Sequence, residues 1–317
     1  MVKDVPGLSR LDSRGKPVPP VWLGLGEAIS LCTAWSQYQA RSRDIRLLVL
    51  KGAALTRQGL REPHASSDVD VLIEPGRFRE FVDCLLSSGW TEFSDTFASA
   101  QFVLHSRTFR REGWPNSIDV HSMWPGFLAP ADEVFETLWG RRVSLDFGHQ
   151  ACDVPDRLAN VLILALHSLR GTAAQGRHAR ELQGLLALTL TPQERADVEW
   201  LAQQTGCRGP LREVLPRLGV PVEVADSELR TPEYKEWHRK VAHAQGRTAS
   251  WLIELRRSPW ERKATILRNG IWPTTHDLLA EHPDTPDRVL ATIWARFARL
   301  ARGIAQLRRV VPALWRR

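Results

Sequence analysis

The chain of 317 residues is 43% hydrophobic and 25% charged, a composition typical of ordinary globular proteins, and its formal net charge is +7. No run approaches the roughly 18 unbroken apolar residues that a membrane span needs. The four cysteines are scattered along the sequence, which argues against a disulfide framework. We therefore expect a cytoplasmic protein with reduced thiols and no membrane span.

The first 154 residues alternate between strand patterns and helical patterns. Residues 1–20 are polar and Pro-rich and lack the apolar core of a secretory signal, so we predict a flexible N-terminal arm. Residues 21–154 are predicted to form one domain. Its predicted elements are a helix at 22–39, a strand at 46–50, helical turns at 53–59, a strand at 68–73, a helix at 78–86 and strands at 101–109, 117–123 and 142–146.

The pattern becomes almost entirely helical after residue 155, which predicts a helical domain at 155–317. Its last part is basic, because residues 251–317 contain 13 Lys and Arg against 6 Asp and Glu, and the first 250 residues are neutral overall. A basic segment suits an anionic partner, but it is equally typical of a solvated helix face. The predicted helices lie at 158–169, 177–190, 192–204, 231–256 and 286–310.

The basic C-terminal helix also carries apolar residues at three- and four-residue spacing. They are Leu290, Ile293, Trp294, Phe297, Leu300, Ile304 and Leu307. We predict that this stripe packs onto the helical domain. The arginines outside it are predicted to face outward, namely Arg296, Arg299, Arg302 and Arg309. An RNA partner is not favoured, because no aromatic residues alternate with these arginines as a stacking platform would require.

Asp68 and Asp70 are the first residues whose pattern indicates chemistry. They lie two positions apart on a predicted strand, so their side chains share one face of the sheet. Two carboxylates that close repel each other, and each would prefer to be neutral. A divalent cation between them removes that cost, and oxygen ligands suit magnesium. Taken alone, the Asp-x-Asp pattern is weak, because it also occurs on solvated strand edges.

The flanking segments strengthen this interpretation. The strand at 46–50 ends at Lys51-Gly52, where a glycine lets backbone approach a phosphate and a helix N-terminus offers free N–H groups. A later strand carries Asp119. Three carboxylates can coordinate two magnesium ions roughly 4 Å apart. The order of glycine turn, Asp-x-Asp strand and single Asp on a later strand is more specific than any one motif.

These motifs resemble the nucleotidyltransferase superfamily of DNA polymerase beta-like fold. More narrowly, they resemble a bacterial family known as uncharacterised nucleotidyltransferase, often encoded beside peptide-modification genes. The matching segments are LVLKGAAL (48–55), SDVDVLI (67–73), a helix closing on SGW (88–90) and IDVHSMW (118–124), with weaker similarity through 156–169 to 266–279. The resemblance implies an α+β fold in which a mixed sheet with flanking helices precedes a mostly helical domain that closes over a nucleotide.

The resemblance also implies roles for individual residues. Asp68, Asp70 and Asp119 are expected to bind two Mg²⁺ ions, with Mn²⁺ as an alternative. Lys51 and the Gly52 backbone are expected to hold the β- and γ-phosphates of a nucleoside triphosphate, for which ATP is the first choice. In the narrower family alanine is usual at position 53, where many superfamily members have Ser or a second Gly and this chain has Ala53.

Further candidate residues surround these motifs. Relatives often have Arg four residues before the first Asp, where this chain has His64, so triphosphate affinity is expected to be weaker or pH-dependent unless Arg61 substitutes. Ser66 and Ser67 are candidates for phosphate contact or for a simple turn. His121 shares a strand face with Asp119 and is expected to orient a carboxylate, contact the acceptor or serve the fold.

Two groups of ring side chains have a more ordinary interpretation. Trp90, Trp114 and Trp124 lie among the motifs, where core packing is the more frequent role and stacking on a base is the alternative. His167 lies in an apolar helical stretch and is interpreted as a core histidine.

We therefore predict a magnesium-dependent nucleotidyltransferase that moves a nucleoside monophosphate from a triphosphate to a hydroxyl-type acceptor and releases pyrophosphate. The acceptor is left open between a modified peptide, a small molecule, a protein side chain and an RNA 3′ end. One alternative is a metal-dependent glycosyltransferase, although its Asp-x-Asp normally lies in a loop after a strand. The other is a nucleotide- or RNA-binding module with a decayed site, against which the three aspartates argue.

Overall fold

The computed structural model describes residues 23–63, 66–93, 106–170, 176–243, 255, 258–275, 277–278 and 288–315. The strands are β1 (Leu47–Leu50), β2 (Asp68–Ile73), β3 (Thr91–Glu92), β4 (Ser106–Arg110), β5 (Ser117–His121), β6 (Val143–Phe147) and β7 (Gln150–Val154). The helices are α1 (Leu25–Arg41), α2 (Gly52–Arg57), α3 (Phe78–Ser87), α4 (Ala131–Gly140), α5 (Arg157–Leu169), α6 (Gly176–Leu186), α7 (Pro192–Gln204), α8 (Asp226–Leu229), α9 (Pro232–His243), α10 (Trp260–Ile271) and α11 (Val289–Trp315), with 3-10 turns at Pro75–Arg77 and Leu215–Leu218.

The first five strands form one mixed sheet in the order β1-β2-β5-β4-β3. The central strand β2 pairs antiparallel with β1 and parallel with β5. In the parallel register Asp68 lies opposite Ser117 and Asp70 lies opposite Asp119. The sheet thus brings together acidic residues that are about fifty positions apart in the chain.

Alternating residues of β1 point into two different hydrophobic cores. Leu47 and Val49 pack into a core shared with α1, α3 and the β6–β7 hairpin. Leu48 and Leu50 pack into a second core formed largely by α4, α5 and α7. Period-two alternation therefore gives the sheet two buried faces. Because the second core contains residues from both sides of residue 155, the predicted boundary at 154/155 does not separate two cores.

Helix α5 is the centre of the second core. Asp156 caps its N-terminus by accepting a hydrogen bond from the Ala159 N–H at 2.8 Å, which satisfies one of the free donors of the first turn. Nearly all of its side chains from Leu158 to Leu166 are buried. Among the described residues no helix is long and apolar enough to cross a membrane.

The sequence prediction differs from the structure most clearly at α11. Leu290 and Trp294, predicted to pack inward, are each 75% exposed, whereas Arg296, predicted to face outward, is only 8% exposed. Arg296 donates to the Pro273 carbonyl at 3.1 Å and to Thr275 Oγ1 at 2.9 Å. The prediction of outward arginines is therefore wrong for this position, because a guanidinium satisfies acceptors that follow the end of α10.

Other arginines of α11 vary in their surroundings. Arg299 donates to the Gly270 carbonyl near the end of α10 at 2.5 Å, and Arg302 is exposed as predicted. The side chains of residues 304–317 lie outside the described residues. The predictions for Ile304, Leu307 and Arg309 fall in this segment. A further difference is β7, which the sequence pattern did not indicate and which pairs with β6.

Candidate active site

Three carboxylates meet where β2 and β5 run side by side. Asp68 and Asp70 share one face of β2, and Asp119 is the direct neighbour of Asp70 on β5. One carboxylate oxygen from each residue lies within 4.8 Å of the other two. Asp70 is buried, and Asp68 and Asp119 are half-buried. The predicted triad is therefore brought together, at a spacing that suits oxygen ligands around a shared cation.

Asp119 forms no ion pair with a positive side chain among the described residues. Burial raises its pKa to about 7, and the charges of Asp70 and Asp68 act in the same direction against a hydrogen bond from Thr108. Its Oδ1 atom is buried and makes no hydrogen bond to the described residues. A divalent cation would supply the missing countercharge, so the donor set fits a hard metal ion such as Mg²⁺ or Mn²⁺.

Asp70 has the opposite environment. Burial by itself would raise its pKa, but the charge of Lys51 and a hydrogen bond with His121 hold the pKa well below its ordinary value. Lys51 Nζ lies 2.8 Å from Oδ2, and His121 Nε2 lies 2.9 Å from Oδ1. Asp70 is thus held as an anion in a fixed orientation. His121 supports it from the buried side, which makes it a positioning residue for the carboxylate.

The turn from β1 into α2 places Lys51. Its backbone has φ +48°, a conformation that residues other than glycine rarely adopt and that costs about 1–3 kcal/mol. The next residue, Gly52, also has a positive φ, and a Cβ there would meet open space. This turn directs Lys51 Nζ toward Asp70 and 5.2 Å from the centre of the Trp124 ring. Lys51 therefore contacts a carboxylate rather than open solvent.

The segment before β2 supports Asp68. Ser66 Oγ lies 2.8 Å from Asp68 Oδ1 and 2.9 Å from its carbonyl oxygen, and it donates to this pair. The Ser67 carbonyl accepts a hydrogen bond from the Ser117 N–H at 3.1 Å, which joins the start of β2 to β5. Ser66 thus orients a carboxylate, and Ser67 closes the sheet. His64 lies outside the described residues.

Arg61 links the turn to the helical part of the chain. It donates to the Gly52 carbonyl at 3.0 Å and forms an ion pair with Glu181 of α6 at 3.2 Å. Its side chain is about nine-tenths buried. Arg61 therefore lies beside the turn at Lys51 and Gly52, and its substitution for the arginine of relatives stays a prediction.

A further cluster on α5 and α6 was not predicted from the sequence. His167 is half-buried rather than enclosed in the core, and its ring centre lies 4.8 Å from that of His178. Arg170, which follows α5, lies 3.4 Å from His167 Nδ1 and 5.0 Å from the Trp124 ring centre. A signal was present, because His167 and Arg170, like His178 and Glu181, are three residues apart and share a helix face.

The tryptophans have mainly structural roles. Trp90 and Trp124 are almost fully buried, which confirms core packing over base stacking for these two residues. Trp114 packs against Trp90 with ring centres 5.8 Å apart. Trp124 also contacts both the Lys51 and His121 side chains and the cluster on α5, because Lys51 Nζ lies 5.2 Å and the Arg170 guanidinium 5.0 Å from the centre of its ring, and the His121 ring centre lies 5.0 Å away.

The sequence identity between this chain and solved structures is low. No curated protein matches the chain. A crystal structure of an antigenic nucleotidyltransferase-like protein from Paracoccidioides brasiliensis is 15% identical, with a TM-score of 0.38 over 62% of this chain and 95% of that one. The solution structure of the antibiotic-resistance factor ANT(2'')-Ia is 12% identical, with a TM-score of 0.39 over 59% and 95% of the two chains.

A family profile gives the stronger result. The family described as uncharacterised nucleotidyltransferase matches residues 39–216, which is more than half of the chain and includes all three aspartates. A nucleotidyltransferase is a transferase enzyme, and its class implies a nucleoside triphosphate as substrate. The chain belongs to the uncharacterised nucleotidyltransferase family.

Proposed function

We propose that this protein transfers a nucleoside monophosphate from a nucleoside triphosphate to a hydroxyl-type acceptor at a site built on Asp68, Asp70 and Asp119. The observation that carries the proposal is the convergence of these three carboxylates, with a buried Asp119 oxygen that makes no hydrogen bond to the described residues. Two Mg²⁺ ions are the cofactors that we assign to them, with Mn²⁺ as an alternative. ATP is the triphosphate that we expect.

The reaction forms a bond between the acceptor oxygen and the α-phosphorus and breaks the bond from that phosphorus to the pyrophosphate. When bound, the metal ions would lower the pKa of the acceptor hydroxyl and offset the charge on the leaving pyrophosphate. Asp119 has the highest pKa of the shifted carboxylates in the site, so we assign it to receive the proton of the acceptor. Asp70 stays ionised, because Lys51 and His121 hold it so.

The neighbouring residues have supporting roles in this proposal. We assign Lys51 and Gly52 to contact with the phosphates, and Lys51 balances the charge of Asp70 until the cations bind. Ser66 fixes the orientation of Asp68. We assign His121 to the orientation of Asp70 and not to the acceptor, because its side chain is only 5% exposed.

The proposed reaction defines the chemical class of the acceptor, which is a hydroxyl. A hydroxyl of a modified peptide, a small molecule, a protein side chain or an RNA end would serve the same attack. We propose that the reaction takes place in the cytoplasm, since all four cysteines are free and buried.

The alternatives have less support. Asp68 and Asp70 lie within strand β2, whereas a glycosyltransferase normally carries its Asp-x-Asp in a loop, and the family assignment points to nucleotidyl transfer. A decayed binding module predicts that some of the three carboxylates would be misplaced, yet all three converge.

The test is pyrophosphate release from each of the four ribonucleoside triphosphates in the presence of Mg²⁺ and candidate hydroxyl acceptors. We expect release with at least one triphosphate, and none with Asp70→Asn or Asp119→Asn. Asp83→Asn is the matched control, because Asp83 is an exposed carboxylate of α3 outside the site. Mass spectrometry of ligand that copurifies with the protein would identify the base. Full turnover by Asp70→Asn at saturating Mg²⁺ would refute the assignment.

A further inference from the structure

The contacts around the candidate site form a nearly closed ring. From Gly52 the ring passes through Arg61 and Glu181 on one side and through Lys51 and Trp124 on the other. His178 of α6 and His167 of α5 complete it. His167 and Arg170 are half-buried and not enclosed, so the ring borders accessible space. It also lies near the triad, because Lys51, a member of the ring, forms an ion pair with Asp70 at 2.8 Å.

The cluster that borders this space from the helical side carries a net positive charge, because it holds two arginines and one glutamate. We call Arg61, Arg170 and His178, with His167 and Glu181, the helical face. Burial lowers the pKa of Arg170 to about 10, and burial together with the charges of Lys51 and Arg170 lowers the pKa of His167. The lowered pKa of Arg170 reflects burial alone, whereas that of His167 also reflects the nearby positive charges of Lys51 and Arg170. An anion beside His167 would be stabilised by those charges.

Two nitrogen atoms of the helical face lack hydrogen bonds within the described part of the chain. Arg61 Nε is buried on a side chain whose other nitrogens contact Gly52 and Glu181. His178 Nδ1 is also buried, and its nearest carboxylate oxygen, Glu181 Oε2, lies 3.7 Å away. Buried donors without acceptors are costly, and an oxygen-rich ligand would satisfy them.

Three residues of the helical face are of types that bind metal ions, but the charges around them do not suit a cation. His167, His178 and Glu181 each place a ligand-type atom within 4.8 Å of the others. A divalent cation there would join the charges of Arg61 and Arg170, with Glu181 as the carboxylate of this group and already paired with Arg61. The positive charges of Arg61 and Arg170 would repel a metal ion, whereas they would attract a phosphate. The charges therefore favour an anion.

We infer that the helical face binds the β- and γ-phosphates of the nucleoside triphosphate, opposite the carboxylates that hold the metal ions. This inference rests on the proposed function and adds to it the subsite for the leaving group. Arg170 supplies a planar guanidinium that suits two phosphate oxygens, and His178 and Arg61 supply further donors. Glu181 holds Arg61 in place and limits the attraction for phosphate until the nucleotide arrives.

The experiment is isothermal titration of the full chain in Mg²⁺ with inorganic tripolyphosphate, and with the non-hydrolysable triphosphate and the monophosphate of the nucleotide that supports pyrophosphate release. Arg170→Gln and His178→Gln should each weaken binding of tripolyphosphate and of the triphosphate about tenfold, as expected for loss of a charge-assisted hydrogen bond. Monophosphate affinity should not change. Arg180→Gln is the matched control, because Arg180 is an exposed arginine of the same helix α6. Circular dichroism of each variant checks that it is folded.

Glu181→Gln distinguishes a phosphate subsite from a metal site, because it should strengthen binding of a phosphate and weaken binding of a metal ion. Removal of this negative charge should raise tripolyphosphate affinity several-fold, because Arg61 is released toward the ligand. A metal site would instead bind Zn²⁺ in the wild type and lose it in this variant, and that result would overturn the inference.

Two results keep this inference distinct from the proposed function. If pyrophosphate release occurs but Arg170→Gln changes triphosphate affinity no more than Arg180→Gln does, the subsite is wrong and the function stands. If no triphosphate supports release but tripolyphosphate binding depends on Arg170, the subsite stands and the function is wrong.

Discussion

The two sides of the candidate site have opposite electrostatic needs. On the sheet side, Asp68, Asp70 and Asp119 place three carboxylates together, with Lys51 as the cation that the structure pairs with Asp70. On the helical side, arginine and histidine side chains surround Glu181. Each side lacks the charge that the other has in excess. A metal-bound triphosphate carries both charges, so one ligand would satisfy both sides.

Two neighbouring carboxylates on the sheet side also differ in their electrostatic environment. Asp70 is compensated by Lys51 and His121, whereas Asp119 is not compensated and its pKa is raised. Removing the charge of Asp70 leaves Lys51 buried without its partner. Removing the charge of Asp119 instead removes a buried negative charge that Asp68 and Asp70 repel. The two aspartates should therefore respond oppositely to the same substitution, although both are expected to be essential for transfer.

Asp70→Asn should have the largest effect. We expect loss of transfer on the order of a thousandfold, because charge stabilisation by a metal is worth several kcal/mol. We also expect the metal-free fold to lose on the order of 3 kcal/mol, since Lys51 would be left mostly buried without its anion. Relief of repulsion between Asp68 and Asp70, expected from sequence spacing alone, is the smaller effect. Urea denaturation in EDTA measures this loss.

The control for that prediction is Lys51→Met combined with Asp70→Asn. The double variant removes both charges of the pair and should recover much of the stability, while transfer remains lost. If Asp70→Asn alone proves as stable as the wild type, the ion pair between Lys51 and Asp70 does not support the fold.

Asp119→Asn should stabilise the metal-free protein at alkaline pH. The folded-state pKa of Asp119, about 7, lies above the ordinary value of 3.8. The group therefore favours folding in its protonated form, and this stability is lost as pH rises from about 4 through 7. The variant should gain at most about 4 kcal/mol over the wild type at pH 8 and almost nothing near pH 4. Thermal unfolding in EDTA at both pH values measures the difference, and a gain that is equal at both would contradict the assigned cause.

Metal affinity should depend on pH for the same reason. Because Asp119 must lose its proton before it can act as a ligand, the apparent affinity for Mn²⁺ should fall up to about tenfold for each pH unit below 7. Titration followed by Mn²⁺ paramagnetic resonance gives the slope. Asp83→Asn should retain the slope, whereas Asp119→Asn should bind more weakly and lose it. A wild-type slope near zero between pH 5 and 7 would show that another group controls binding.

The sequence predicted the pair Asp68 and Asp70 because its logic is local, whereas Asp119, about fifty positions further on, was assigned from the order of the motifs and the family resemblance. Strand β2 begins at Asp68 as predicted, and period-two alternation places Asp68 and Asp70 on one face. The contact of Lys51 with Asp70 was not predictable. The direction of the Lys51 side chain depends on a strained backbone at φ +48°, which no sequence pattern indicates. The helical face was missed for another reason. The apolar neighbours of His167 predict a core position, and only the packing of α5 on α6 shows that its ring meets His178.

The amphipathic pattern of α11 failed because a tertiary contact outweighed it. The stripe through Leu290 and Trp294 predicted the buried side of the helix, but the structure buries Arg296 instead. An arginine can be buried when its donors are satisfied, and Arg296 finds acceptors in the Pro273 carbonyl and Thr275. Spacing along one helix carries no information about acceptors on the segment that follows another.

The smallest effects are expected far from the site and compare two arginines of α11. Arg296→Gln should destabilise the protein by about 1–2 kcal/mol, because it removes buried hydrogen bonds to Pro273 and Thr275 and the contact of the guanidinium with Trp272. Arg302→Gln should change stability by less than about 0.5 kcal/mol, since Arg302 is exposed. Neither variant should alter pyrophosphate release, because both positions lie outside the residues that we assign to the reaction. Guanidinium denaturation and the release assay measure the two quantities on the same samples. If Arg302→Gln also reduces transfer, and the reduction shrinks as ionic strength rises, the basic end of the chain binds an anionic acceptor after all.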